Sequence, residues 1–288
     1  MKEESKNLLE LHTAVLLFGL SGLFGKLLVI PAVLITLGRV IFANLAMCLF
    51  LKIRHVNVRL RAKKDYAALL LAGLLLAIHW TTFFMSVQFS TVAIAVLTYS
   101  TYPIFVTFLE PVMSKEKITL SNIIAAFVIF VGVLLIVPEF DFYNHATIGI
   151  VCGLAASMSY ALISVLNRKY VSNYPGPVVT FYEQSTVAVL LLPALLFPKD
   201  LSFFNTANIA LLFLLGTVFT ALAHSLFTCG LKTIRAQTAG IIASLESVYG
   251  VIAAAVFLGE IPTTKEIIGG VIILGTALWI TLQAKKTV

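Results

Sequence analysis

The chain has 288 residues, of which 60% are hydrophobic and 11% are charged, and its formal net charge is +7. With a mean hydropathy of +1.02, it carries more apolar surface than a soluble domain of this size can bury, so a soluble enzyme is excluded. Its apolar windows are about 20 residues long, the length that crosses a bilayer as an α-helix. Shorter alternating segments, which are typical of membrane barrels, do not occur.

The predicted fold class is an all-α integral membrane protein with ten transmembrane helices. In chain order the predicted spans are Leu11–Leu28, Val33–Leu51, Ala67–Val87, Val92–Val112, Leu120–Val137, Ala146–Tyr170, Val178–Phe197, Asn208–Leu231, Ala236–Leu258 and Ile267–Gln283. Glycines such as Gly19, Gly22 and Gly25 are compatible with a membrane helix and are expected to let helices pack closely.

Lysine and arginine residues predict the orientation, because cytoplasmic loops are enriched in them. The loop Arg54–Lys64 and both chain ends are rich in these residues, whereas the opposite side has Lys26, Lys199 and Lys265. We therefore expect a multi-pass protein with both termini in the cytoplasm and the loop Arg54–Lys64 against lipid headgroups. Because the basic residues flank spans and form no patch on a soluble domain, no nucleic-acid partner is expected.

A pattern recurs near the end of each half of the chain. An apolar run and a polar turn lie between Tyr102 and Glu116, and a similar segment with the same separation lies between Glu246 and Glu260. Recurrence at half length in a very apolar chain indicates a transporter built from two repeats. Each repeat holds about five spans, and this odd number places the two in opposite orientations. The predicted repeats are residues 1–138 and 146–285, joined by a linker at 139–145.

Short motifs occur in matching order in the two halves. They are Phe18-Gly19 with Lys26, Pro31 and Arg39, then Tyr160-Ala161 with Arg168, and the late hairpins Tyr102-Pro103 to Glu116 and Glu246-Ser247 to Gly259-Glu260. Over nearly the whole chain they resemble the EamA branch of the drug/metabolite transporter superfamily. Two departures are Ser247, where that family often has Pro, and Lys115, where it usually has Gly.

The resemblance implies a ten-helix carrier with a central cavity. In the family that cavity is lined by the third, fourth, eighth and ninth helices, with the first and sixth close by. Substrates of the family include amino acids, other small metabolites and organic cations. Many bacterial members are exporters in the inner cell membrane, which is the localisation expected here.

Ionisable residues inside spans are candidate functional residues, because a charge within the bilayer is costly. They are Arg39, His79, Glu183, His224 and Glu246, accompanied by the aromatic and hydroxyl residues Trp80, Phe83, Tyr99, Tyr102, Tyr160 and Ser164. Aromatic faces attract cations and a carboxylate supplies the counter-charge, so this set predicts a site for an ammonium-bearing solute. Arg39 could hold a solute carboxylate, and the histidines and glutamates could carry protons.

Structural roles are open for several of these residues. Arg39 could form an ion pair with Glu183 or Glu246, and His224 could serve as a hydrogen-bonded residue between helices. Trp80 and Tyr102 could face lipid or pack in the bundle. Glu116 and Glu260 lie at elbows where a helix restarts, so capping would explain them without a substrate.

The main functional prediction is a non-enzymatic, secondary-active or facilitative carrier that exports an amino acid or related metabolite by alternating access. It would act as a monomer or homodimer among membrane lipids, with protons as a candidate coupling ion. The alternative is an importer of a quaternary amine such as choline.

A remote alternative is an intramembrane serine protease, because Gly19-Leu20-Ser21-Gly22 resembles the Gly-x-Ser-Gly motif of rhomboids. No cofactor is predicted, since there is no phosphate-binding Gly-rich loop. No metal is predicted either, since the three cysteines are widely separated.

Overall fold

The computed structural model describes residues 2–114, 120–136, 144–171, 174–196, 204–230 and 242–283, and this part of the chain contains no β-strand. The helices are α1 (Lys2–Ser21), α2 (Phe24–Leu27), α3 (Ala32–Ile53), α4 (Lys63–Phe89), α5 (Val92–Tyr99), α6 (Tyr102–Ser114), α7 (Leu120–Ile136), α8 (His145–Val171), α9 (Gly176–Leu191), α10 (Thr206–Gly216), α11 (Ala223–Gly230), α12 (Leu245–Ala253) and α13 (Thr264–Gln283). The predicted elbow at Glu116 and most of the predicted linker lie outside the described residues.

The helices have the length and composition of membrane spans. Among the described residues, 7 helical stretches are long and apolar enough to cross a bilayer, and Leu120–Ile136 and Leu245–Leu258 are shorter apolar helices. Each predicted span falls on one or more of the helices, so the predicted all-α membrane class is confirmed. Outward-facing apolar side chains such as Leu45 and Leu49 are 62% and 60% exposed, as expected for a surface in contact with lipid.

Several spans consist of consecutive short helices. In the fourth predicted span α5 ends at Tyr99 and α6 begins at Tyr102. Pro103 explains this restart, because proline lacks an N–H and fits only in the first turn of a helix. The eighth and ninth predicted spans contain the π-helical segments Thr217–Leu222 and Ala254–Leu258, a distortion that often occurs at functional sites.

Close helix contacts join the first and second halves of the chain. The main pairs are α4 with α8 and α9, α1 with α11 and α12, α3 with α9 and α10, and α7 with α13. Small residues permit these approaches. A Cβ at Gly19 of α1 would lie 2.6 Å from the Glu246 carbonyl oxygen of α12, and one at Gly25 would lie 2.7 Å from Val87. The close packing expected for these glycines is therefore observed.

The loop from α3 to α4 is held against the start of α9. The Arg61 N–H donates to the Tyr174 hydroxyl at 2.9 Å, and that hydroxyl donates to the Asp65 carboxylate at 2.5 Å. Tyr182 of α9 donates to the Val58 carbonyl at 3.1 Å. The hydrogen bond to Asp65, with a smaller effect of desolvation, raises the pKa of Tyr174.

Candidate functional site

A cavity among seven helices brings most of the predicted site residues together. It is lined by Phe18, Ser21, Arg39, His79, Trp80, Phe83, Tyr99, Tyr160, His224 and Glu246. Its volume is about 60 Å³, taken as the space open to the centres of water molecules. Since 10–15 Å³ of such space holds one water, the cavity has room for about five waters, which is comparable to a small amino acid.

Arg39 on α3 brings a positive charge to the cavity and is only 4% exposed. Its Nε–H donates to Thr220 Oγ1 at 2.7 Å, and its guanidinium carbon lies 4.2 Å from the centre of the Trp80 ring. The aromatic face stabilises the buried cation. Among the described residues Arg39 makes no direct ion pair, so the suggested structural pairing with Glu183 or Glu246 is not observed.

Glu246 brings a negative charge to the same cavity from the first turn of α12, where the helix dipole favours a carboxylate. It attracts Arg39 electrostatically without touching it. Glu246 also lines a second cavity of about 30 Å³ on the same measure, together with Tyr102, Ser100 and Ser247. Tyr102 therefore lies against this neighbouring cavity, whereas Tyr99 borders both.

Aromatic rings form the wall between the two charges. His79 Nδ1 lies 2.8 Å from the Ala156 carbonyl oxygen, to which it donates its proton. The His79 ring centre lies 5.0 Å from that of Tyr160 and 5.3 Å from that of Tyr99. Also lining the cavity, the His224 ring centre lies 4.9 Å from that of Phe18. These distances are typical of packed aromatic pairs, so the wall is fixed by mutual ring contacts.

Two predicted site residues lie outside both cavities. The Ser164 hydroxyl donates to the Tyr160 carbonyl oxygen at 2.8 Å, one turn away from the cavity wall. Glu183 is buried in α9 with 6% exposure and does not border the cavity. The structure thus gathers the other predicted residues around the two cavities but leaves these two elsewhere.

Sequence reasoning missed Phe18 and Thr220 as parts of the site, because an isolated Phe or Thr in an apolar span carries no distinguishing pattern. Ser21 was considered only as a protease nucleophile. Its hydroxyl donates to the Phe18 carbonyl oxygen at 2.7 Å, a bond within one helical turn. This backbone bond accounts for the hydroxyl without a catalytic base.

Two broken helices cross beside the site. Ser100, between α5 and α6, forms a short hydrogen bond with Ser247 on α12. Both hydroxyls also lie within hydrogen-bonding distance of the Val96 carbonyl oxygen, at 2.7 Å for Ser100 and 3.1 Å for Ser247. The position at which Ser247 replaces the Pro of the family is therefore a polar contact between the two halves of the chain.

A polar contact links α2 to the turn between α12 and α13. Lys26 Nζ donates to the Ser90 carbonyl oxygen at 2.5 Å and lies 3.7 Å from Glu260 Oε1. Glu260 Oε2 accepts the Val92 N–H at 2.8 Å, which caps the start of α5. The capping role expected for Glu260 is thus observed, with the capped helix in the other half of the chain.

Several known proteins, all named as transporters, resemble this chain in sequence. The chain is 28% identical to an uncharacterized transporter of Archaeoglobus fulgidus over 68% of this chain and 70% of that protein. It is 24% identical to the uncharacterized transporter YxxF of Bacillus subtilis over 99% of this chain and 93% of that protein. It is 27% identical to the S-adenosylmethionine uptake transporter of Rickettsia conorii over 75% of this chain and 72% of that protein.

A solved crystal structure covers 98% of this chain and 99% of its own with a TM-score of 0.67 and 18% identity, which shows a shared fold. The model of the EamA-like transporter family matches residues 8–137 and again residues 147–282. Together these segments include most of the chain. The protein therefore belongs to the EamA-like transporter family, part of the drug/metabolite transporter superfamily.

Proposed function

We propose that this protein carries a small zwitterionic metabolite, in the first place an amino acid, across the membrane. The observation that carries the proposal is that Arg39 and Glu246 bring opposite charges to one cavity walled by aromatic rings. An amino acid presents a carboxylate, which a guanidinium binds with paired hydrogen bonds. It also presents an ammonium group, which suits the Glu246 carboxylate and the faces of nearby aromatic rings.

Charge and size favour an amino acid over the competing substrates. Choline has no carboxylate and would leave Arg39 unpaired, which is costly in a buried site. S-adenosylmethionine, named for several relatives, has the same amino-acid end, so the two charges suit it equally. Its adenosyl group needs far more room than a cavity of about 60 Å³ offers. Transport of that solute would require the cavity to widen.

Alternating access by two inverted repeats, residues 1–138 and 146–285, is the proposed mechanism. Two observations support it. The family model matches once in each half of the chain. The helix contacts also correspond between the two halves. The contact of α4 with α8 corresponds to the contact of α11 with α1, and the contact of α4 with α9 corresponds to the contact of α10 with α3.

Net export across the inner cell membrane, with both termini cytoplasmic, is the direction we propose. The orientation is supported by the lysine and arginine residues of the loop Arg54–Lys64. The solute cavity is lined by a single chain, so a monomer is sufficient for binding.

Counterflow in proteoliposomes tests this function. Vesicles loaded with one amino acid should take up the same labelled amino acid, whereas vesicles loaded with choline should not. Glu246→Gln removes a charge-assisted hydrogen bond worth about 1.5–3 kcal/mol, so apparent affinity should fall by roughly 10- to 100-fold. Ser164→Ala, outside the cavity, is the matched control and should behave as the wild type.

Two results would contradict the proposal. The first is wild-type protein that gives no counterflow with any amino acid in either vesicle orientation. The second is Glu246→Gln protein that is indistinguishable from Ser164→Ala protein in affinity for the transported solute.

A further inference from the structure

Glu183 is a buried carboxyl group that the solute cavity does not use. It lies near the middle of α9, with 6% exposure. The neighbouring helix α4 packs tightly here, because a Cβ at Gly73 would lie 2.8 Å from the Glu183 carbonyl oxygen and 2.4 Å from Thr186. The Glu183 side chain is thus buried where α4 and α9 pack closely.

The polar surroundings of Glu183 are incomplete. The amide N–H of Asn167 on α8 donates a hydrogen bond to the Glu183 carboxylate. Glu183 Oε1 and Asn167 Oδ1 are both buried, and within the described residues neither has a hydrogen-bond partner. Both atoms are acceptors when Glu183 is ionised, so neither can donate a hydrogen bond to the other. Buried acceptors without donors are rare in folded proteins, so this pair points to a missing proton.

Among the residues that the structure describes, no basic side chain forms an ion pair with Glu183. The titratable or charged groups described on the helices packed against α9 are Arg39, Cys48 and Lys52 on α3, Lys63, Lys64, Asp65, Tyr66 and His79 on α4, His145, Cys152 and Tyr160 on α8, and His224 and Cys229 on α11. Of these, Tyr160 is the group found to interact electrostatically with Glu183. The charge of Arg39 acts on Glu246 instead. With no such partner in the described part of the chain, an ionised Glu183 would be a charge without an ion pair inside the membrane, which is costly.

We propose that Glu183 and Asn167 form a proton-binding site that is separate from the solute cavity. On binding, a proton joins a Glu183 carboxylate oxygen to give a neutral carboxylic acid. The new O–H group donates to Asn167 Oδ1, so that both orphan oxygens gain a partner. The proton is delivered by a hydronium ion of the aqueous phase, whose O–H bond breaks to leave a water molecule.

Tyr160 connects this site to the solute. It borders the cavity, its ring centre lies 5.0 Å from that of His79, and it experiences the charge of Glu183. Proton loss at Glu183 therefore changes the electrostatic potential at one wall of the solute cavity. Coupling of amino-acid export to the proton gradient through Glu183 rests on the proposed function, whereas the proton site itself does not.

Infrared spectroscopy of the purified protein tests the proton site without any solute. The wild type should show a carboxylic acid C=O band that shifts on exchange into D2O. Glu183→Gln, which keeps the side-chain shape, should lose that band, and Asn167→Leu should shift the band without removing it. Glu260→Gln removes a carboxylate whose two oxygens have partners, Lys26 at 3.7 Å and the Val92 N–H at 2.8 Å, and serves as the control. A band that persists in Glu183→Gln would overturn the site.

Transport in proteoliposomes tests the coupling separately. Glu183→Gln should retain counterflow but lose accumulation driven by a pH gradient, and Glu183→Asp should recover part of it. Unchanged gradient-driven accumulation in Glu183→Gln would overturn the coupling. A wild type that binds the proton but moves no amino acid would contradict the proposed function and leave the proton site standing.

Discussion

Replacing Gly19 with alanine tests how closely the two halves of the chain must approach beside the solute cavity. An added Cβ would lie 2.6 Å from the Glu246 carbonyl oxygen, 2.9 Å from Tyr249 Cβ and 3.1 Å from the Gly250 nitrogen. Two of these three atoms belong to the backbone, so no change of side-chain rotamer relieves the contact. Restoring an ordinary separation of about 3.4 Å moves α1 and α12 apart by about 0.8 Å.

The size of the effect follows from this shift. Overpacking of a tight interface costs about 1–3 kcal/mol, and for a chain of this size each kcal/mol lowers the melting temperature by about 2–4 °C. We expect Gly19→Ala to melt roughly 2–12 °C lower in detergent. Because Glu246 moves with α12, counterflow of amino acids should fall more than the amount of folded protein does.

Gly275→Ala is the matched control. Gly275 lies in the interior of α13, and an added Cβ there would meet no atom within 4 Å. Alanine favours a helix over glycine by up to about 1 kcal/mol, so this variant should melt at the wild-type temperature or slightly above it. Equal melting temperatures and equal counterflow for the two variants would refute the close contact between α1 and α12.

Three further changes test other contacts. Glu260→Gln weakens the contact of residue 260 with Lys26 and with the capped N–H of Val92. If this contact restricts access to that end of the bundle, cysteines introduced there should react faster with a membrane-impermeant reagent. Unchanged labelling would contradict such a role. His79→Ala opens the aromatic wall and should alter solute affinity without loss of protein from the membrane, whereas unaltered affinity would assign His79 a structural role. The hydrogen bond from Tyr174 to Asp65 should persist at neutral pH and be lost only as the pH rises above the raised tyrosine pKa. In a tyrosinate absorbance titration Asp65→Asn should move one tyrosine to lower pH, and superimposable curves would contradict the hydrogen bond.

The sequence predicted the spans well because each depends on a local property, the length of an apolar run. It also found Arg39, His79 and Glu246, because a charged or titratable residue stands out in an apolar helix. Ser164 shows why helical spacing was not enough. It shares a face with Tyr160, but four residues displace it by about 6 Å along the helix, beyond the level of the cavity.

Other parts of the site could not be read from one segment alone. Phe18 and Thr220 acquire a role only when α1 and the segment Thr217–Leu222 are brought against α3. Glu183 looked like a solute ligand because the chain shows that it lies within a span. The sequence does not show which side of α9 Glu183 occupies, because that depends on how α9 packs against its neighbours. Nor does it show that Arg39 interacts electrostatically with Glu246 and not with Glu183.

The bond between Ser100 and Ser247 has a mechanical consequence. Two helices that contact each other at one point can tilt relative to each other, and the point of contact then moves least. Because the helix carrying Ser100 is interrupted there, its two parts can swing by different angles while this polar joint stays together. Under the proposed alternating access, tilting about this contact would widen one end of the bundle as it narrows the other, and the proposed solute site would lie close to the axis of rotation.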